Sequence, residues 1–274
     1  MDDEDTSVLD ECRQVLDWPV GDLPESTHQR RDLLRIVVVF VSVETRQLVD
    51  RIEIRRVEKL PEMHDANVQF GDDAMKLRVL AELVAMTTRT IEGQALDIGW
   101  ARDDRFDLSI EDYLVMANHK TAFYSGGVPL AVGAIIGKGT EEQIETLRRF
   151  GQATGLAFQI QDDILNLVGT KESTKKDFRS DVAEGKRTLV AIHALRDAPR
   201  RERLLEVLSS RASDPAVLDE AVGIMQEAGS IDHARVYAHD LVIGAKAELQ
   251  KALPKTKARD LLCSMADFFI RRNS

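Results

Sequence analysis

Residues 158–167 read FQIQDDILNL, so Asp162 and Asp163 stand side by side in a largely apolar run without glycine or proline. Burying carboxylates without compensation is costly, and the pair therefore calls for a cation. On a 3.6-residue period Gln159, Asp162, Asp163 and Asn166 share one narrow stripe. Phe158 and Leu165 flank it on one side; Ile160, Ile164 and Leu167 flank it on the other. Most aspartates are at the surface, where such a pair is salt-bridged or half exposed. A surface pair normally shares its face with Lys, Arg or Glu, and this stripe does not. The apolar shoulders favour a stripe that lines a cavity and holds a hard cation. Mg2+ suits it best, because that ion binds through one or two carboxylates together with phosphate oxygens and water.

A second group follows at once. Lys171, Lys175, Lys176, Arg179, Lys186 and Arg187 all fall within GTKESTKKDFRSDVAEGKRT at 169–188. A charged run is ordinarily a solvated loop. Beside a Mg2+-binding stripe it suits a diphosphate, with metal on one side and cationic groups on the other.

These residues need helices to position them. AMKLRVLAELVAMTTRTIEG puts Leu77, Leu80, Ala81, Val84 and Ile91 on one face at helical spacing. SIED at 109–112 reads as a capping box that opens a helix through Tyr113, Met116, Ala117 and Lys120. TEEQ at 140–143 opens a long helix that runs through Phe150 into the Asp–Asp stretch. Ser213–Asp214–Pro215 and Ser230 mark further starts, Gly229 a stop between them, and Pro254 precedes a last helix. VVVFVSV at 37–43 fits either a strand or a buried helix. The pattern predicts an all-α single domain, a bundle of more than four helices.

The bulk numbers agree. The chain has 274 residues, 43% hydrophobic and 31% charged, with a formal charge of −10 that disfavours nucleic acid as a partner. Two cysteines without a CxxC suit neither a disulfide framework nor a structural zinc site and fit a reducing, cytoplasmic setting. The start, MDDED, is acidic, unlike a secretory signal. The longest apolar runs, at 36–41 and 128–136, are too short for a membrane span, so a soluble protein is expected.

Four segments resemble, in order, motifs of the trans-isoprenyl diphosphate synthases (polyprenyl synthetases), closest in flavour to archaeal farnesyl and geranylgeranyl diphosphate synthases. EGQALDIGW at 92–100 is similar to the family's GQ..D segment, and HKT at 119–121 to its KT motif. GLAFQIQDDILNL at 155–167 resembles its second aspartate-rich motif, and KKDFRSDVAEGKRTL at 175–189 its lysine-bearing loop. The resemblance covers residues 71–274, with 1–70 an atypical, shortened N-terminal part. It implies an isoprenoid-synthase-type helical bundle around a central cavity. The implied reaction is condensation of isopentenyl diphosphate with an allylic diphosphate to a short-chain polyprenyl diphosphate, in a homodimer or a heterodimer with an active homologue. Carried over by position, Asp162 and Asp163 bind Mg2+. Lys120, Thr121 and Gln159 line the allylic site, Lys120 and Gln159 with catalytic roles. Lys176 and Lys186 hold diphosphate oxygens.

The family's first aspartate-rich motif has no clear counterpart. LVDRIEIRR at 48–56 places Asp50 and Glu53 roughly where two acids belong, but Arg51 replaces another and Arg55–Arg56 follow too soon. The alternative implied is a non-catalytic subunit that pairs with an active synthase and tunes its output. Asn166 stands at the third acid of the second motif, a neutral oxygen expected to lower metal affinity. FGDDAMK at 70–76, DDRFD at 103–107 and His64 are read as decoys: a helix opening, a surface turn and a solvated histidine.

Overall fold

The computed structural model describes residues 73–169 and 179–272. Among them every regular element is helical: α1 (Asp73–Arg102), α2 (Ile110–Ala117), a π-helical segment (Asn118–Gly127), α3 (Val128–Ile136), α4 (Glu141–Val168), α5 (Ser180–Ala183), α6 (Leu189–Asp197), α7 (Arg201–Ser210), α8 (Pro215–Glu227), α9 (Ser230–Ala252) and α10 (Lys257–Arg271). The all-α expectation holds for these residues. The segments at 37–43, 48–56 and 70–72, His64, and Lys171, Lys175 and Lys176 lie outside the described residues.

Local signals set most helix starts. Ser109 and Asp112 close a reciprocal capping box on α2, as Thr140 and Gln143 do on α4. Asp214 accepts from the Ala216 N–H, with Pro215 at the first position of α8. Gly229, at φ +66°, makes the sharp corner before α9.

Helix α4 is the spine, packed against the π-helical segment, α3, α9 and α10. Its Ile160, Ile164 and Leu167 are at most 1% exposed. Each such burial is worth roughly 1.5–3 kcal/mol, enough for this helix to carry an acidic stripe at some cost. On another face glycines permit backbone contact. A Cβ on Gly151 would lie 2.2 Å from the Gly126 carbonyl oxygen, and one on Gly155 3.0 Å from Ala122 Cα.

Two sequence readings need amendment. The helix expected through Lys120 changes to π winding at Asn118, so Lys120 and Thr121 ride on a π-helical segment. Such winding is rare and recurs at functional sites. The stripe Leu77–Leu80–Ala81–Val84–Ile91 is helical as expected but faces outward. Met75, Val79, Leu83 and Met86 form the inner edge instead, against Phe123, Val128, Val132 and Ile136.

Candidate active site

The two aspartates have different surroundings. Asp163 is buried and saturated: the Tyr113 hydroxyl donates to its Oδ2 at 2.8 Å and Gln159 Nε2 to its Oδ1 at 2.9 Å. Burial, with Asp181 and Asp162 nearby, raises its pKa to about 7 against the pull of those two hydrogen bonds. The same burial, together with Asp163, pushes the Tyr113 hydroxyl well above the ordinary tyrosine range, so it stays a donor. Asp162 is the open member, with 45% of its side chain exposed. Burial of its surroundings still raises its pKa, against the counter-pull of Arg272, which pairs with it from the end of α10.

A third carboxylate adjoins this wall. Asp181, buried at the start of α5, accepts from Lys186 Nζ. Burial works against the lysine charge, but Asp181, Glu184 and Asp163 outweigh it and hold its pKa above the ordinary value. Asn166 links the wall to this turn. Its Oδ1 accepts the Asp181 N–H at 3.1 Å, its Nδ2 donates to Ser180 Oγ at 3.0 Å, and its backbone carbonyl accepts the Arg179 N–H at 2.9 Å. The residue expected to offer a weak metal oxygen thus stitches α4 to the start of α5.

Lys120 is placed by α1. Its Nζ meets Asp97 Oδ2 at 2.6 Å, joining the HKT and GQALD segments. Gly93 makes this possible: a Cβ there would lie 2.3 Å from the Lys120 backbone nitrogen. Thr121 is buried beside it. Arg187 departs from the expectation of a loop cation facing the acids. It is 4% exposed, donates to the Arg105 and Gly185 carbonyls at 2.8 Å each, and covers the Phe106 ring at 4.1 Å. The acids of DDRFD are paired with arginines. Asp103 and Asp107 are held by Arg102 and Arg105, and Asp104 by Arg187.

The donor set can therefore be assessed. Among the described residues no group of three or more His, Cys, Asp or Glu is arranged to chelate an ion. Hard carboxylate oxygens with one member open to solvent still fit Mg2+, which takes its remaining ligands from phosphate and water.

The matches to known proteins point the same way. Residues 50–225 match the polyprenyl synthetase family model. The chain belongs to the polyprenyl synthetase family. Among the curated polyprenyl synthetases it is 39% identical over 210 residues to a short chain isoprenyl diphosphate synthase of Methanothermobacter thermautotrophicus, covering 76% of this chain and 63% of that protein. A geranylfarnesyl diphosphate synthase of Natronomonas pharaonis is 37% identical over 72% of this chain and 55% of its own. The chain thus spans less than two thirds of the length of these relatives. The crystal structure of a geranylgeranyl pyrophosphate synthetase from Pyrococcus horikoshii superposes with a TM-score of 0.71 at 25% identity, over 98% of this chain and 91% of that one. A Caulobacter crescentus polyprenyl synthase complexed with calcium and isoprenyl diphosphate shares the fold at 22% identity, with a TM-score of 0.71 over 97% of this chain and 83% of that one.

Sequence reasoning singled out Asp162, Asp163, Gln159 and Lys186 by type and spacing, and Lys120 through the family resemblance. It missed Asp181 and Arg272, and it did not give Tyr113 a role. Asp181 lies inside a quoted motif, and its place directly before Val182 and Ala183 was a usable signal. Arg272 had none, because its partner is 110 residues away.

Proposed function

We propose that the protein is a prenyltransferase that condenses isopentenyl diphosphate with an allylic diphosphate, using Mg2+. The reading is carried by one observation: an acidic wall of Asp162, Asp163 and Asp181, the last two buried, bears its own lysine, Lys186. The named relatives are diphosphate synthases, which supports the substrate class.

Asp162 would be the direct metal ligand, since its carboxylate reaches solvent. Asp163 would orient and add charge from behind it. Mg2+, when bound, neutralises the diphosphate leaving group and so eases its ionisation. Lys186, with Lys176 from outside the described residues, would hold diphosphate oxygens, as would Lys120 with its neighbour Thr121. Cationic groups already in place cost no reorganisation as charge develops. Gln159, fixed by its bond to Asp163, would present its carbonyl oxygen to the positive charge left on the allylic fragment. Apolar walls exclude water that would quench that charge.

Leu77, Leu80, Val84, Ile91 and Ile98 are all more than half exposed along α1, which supports a dimer formed through this helix. Among the described residues no helix is long and apolar enough to cross a membrane, which accords with a cytoplasmic enzyme. No observation on the described residues favours the non-catalytic subunit.

The test is incubation of the purified chain with Mg2+, labelled isopentenyl diphosphate and geranyl or farnesyl diphosphate. A labelled chain one isoprene unit longer is expected, and none with Asp162→Ala. No product from the chain alone, with altered product when it is mixed with an active homologue, would replace the enzyme by the regulatory subunit.

A further inference from the structure

Asp162 already has a cation. The guanidinium of Arg272, in the C-cap position of α10, pairs with Asp162 Oδ1 and lies over the Phe158 ring, 3.9 Å from its centroid. Its backbone carbonyl accepts from Gln161 Nε2 at 3.0 Å. Three positions within about one turn of α4 (Phe158, Gln161 and Asp162) therefore hold this one residue. Below it, Phe158 and Phe269 meet edge to face at 5.2 Å, and α10 borders a small apolar cleft that Phe150, Leu262 and Met265 help to line.

We propose that Arg272 is a resident counter-cation of the acidic wall, which a divalent ion must displace to bind Asp162. The proposal rests on the reading of Asp162 as a metal ligand. A carboxylate beside two others is strained by like charge, and a nearby guanidinium relieves that strain when no metal is bound. A guanidinium and a metal ion cannot both occupy the open side of one oxygen. The arginine's hold is incomplete, because its Nε is buried without a hydrogen-bond acceptor among the described residues. That shortfall makes it a displaceable occupant. Loading of the metal is then coupled to release of the end of α10 from α4.

The experiment measures Mn2+ binding to the full chain in the presence of inorganic pyrophosphate, by the electron paramagnetic resonance signal of free Mn2+. Arg272→Met keeps an apolar stem over Phe158 and removes the charge. It is expected to tighten Mn2+ binding roughly threefold to tenfold, the range for loss of a competing half-exposed charge pair. Arg272→Lys should fall between Met and wild type. Hydrogen exchange at residues 268–272 should speed up when Mn2+ and pyrophosphate are added to the wild type. Unchanged or weaker Mn2+ binding in Arg272→Met, or unchanged exchange, would overturn the proposal. Asp162→Ala separates the two failures. If it leaves Mn2+ binding intact, the metal-ligand reading fails and the proposal with it. If it abolishes binding while Arg272→Met changes nothing, only the displacement idea fails.

Discussion

At the scale of single residues the two aspartates divide one task. Asp163, clamped by Tyr113 and Gln159, is buried and hard to ionise; Asp162 is open and paired. The raised pKa of Asp163, about 7, has a consequence for stability in metal-free protein. The native state then holds a proton that the unfolded chain releases at ordinary carboxylate pH. Stability from this group is thus complete below about pH 4 and lost as pH rises through 7. Asp163→Asn accepts from Tyr113 and bonds to Gln159 without charge. With a chelator present, urea denaturation should show the variant gaining on wild type between pH 5 and 8, by on the order of a few kcal/mol at pH 8. A constant difference between the two proteins over that range would mean that Asp163 does not titrate there. The adjacent acids and their shoulders were legible because a helix repeats at 3.6 residues. Their partners were not: Tyr113 is 50 residues away and Arg272 110, and spacing along one helix says nothing of what another brings to it. The partners of Asn166, Ser180 and Asp181, were hidden for the same reason.

At the scale of elements, these helix starts were written in short-range chemistry: Ser109 and Thr140 cap where expected, and Asp214 caps within the expected Ser213–Asp214–Pro215 start. Which face of α1 turns inward was not. Leu77, Val84 and Ile91 carry the stronger apolar signal, yet Met75, Val79, Leu83 and Met86 pack inward. Two apolar edges on one helix leave the choice to its neighbours. The closeness of α1 to the π-helical segment depends on Gly93. Gly93→Ala sets a Cβ against the Lys120 backbone, which cannot move aside as a side chain end would. It should cost roughly 1–3 kcal/mol in urea denaturation and weaken pyrophosphate binding by displacing Lys120. Gly99→Ala on the same helix is the control, because nothing lies within 4 Å of its Cβ. It should gain about 0.5–1 kcal/mol from helix propensity alone. Equal effects at the two positions would refute the close-approach argument.

For the whole molecule, the outward stripe of α1 and Asp97, the partner of Lys120, share one helix. Leu77, Val84, Ile91 and Ile98 recur at intervals of seven, with Leu80 between the first two. They form a line about 30 Å long at 1.5 Å per residue, on side chains 55% to 66% exposed. So regular an apolar line fits a second helix of the same kind packed against it. The far end of that line lies beside Asp97, which holds Lys120. Dimerisation would therefore stiffen the scaffold that positions Lys120, a proposed diphosphate contact. Val84→Glu with Ile91→Glu places two charges at exposed positions, where folding tolerates them, and in the centre of the proposed interface, where pairing does not. Sedimentation should show wild type as a dimer and the double variant as a monomer with an unchanged circular dichroism spectrum. Its pyrophosphate binding should fall less than that of Gly93→Ala, because Lys120 loses an external brace and keeps its partner Asp97. A double variant that remains dimeric, or a monomeric wild type, would remove α1 as the interface while leaving the acidic wall as described.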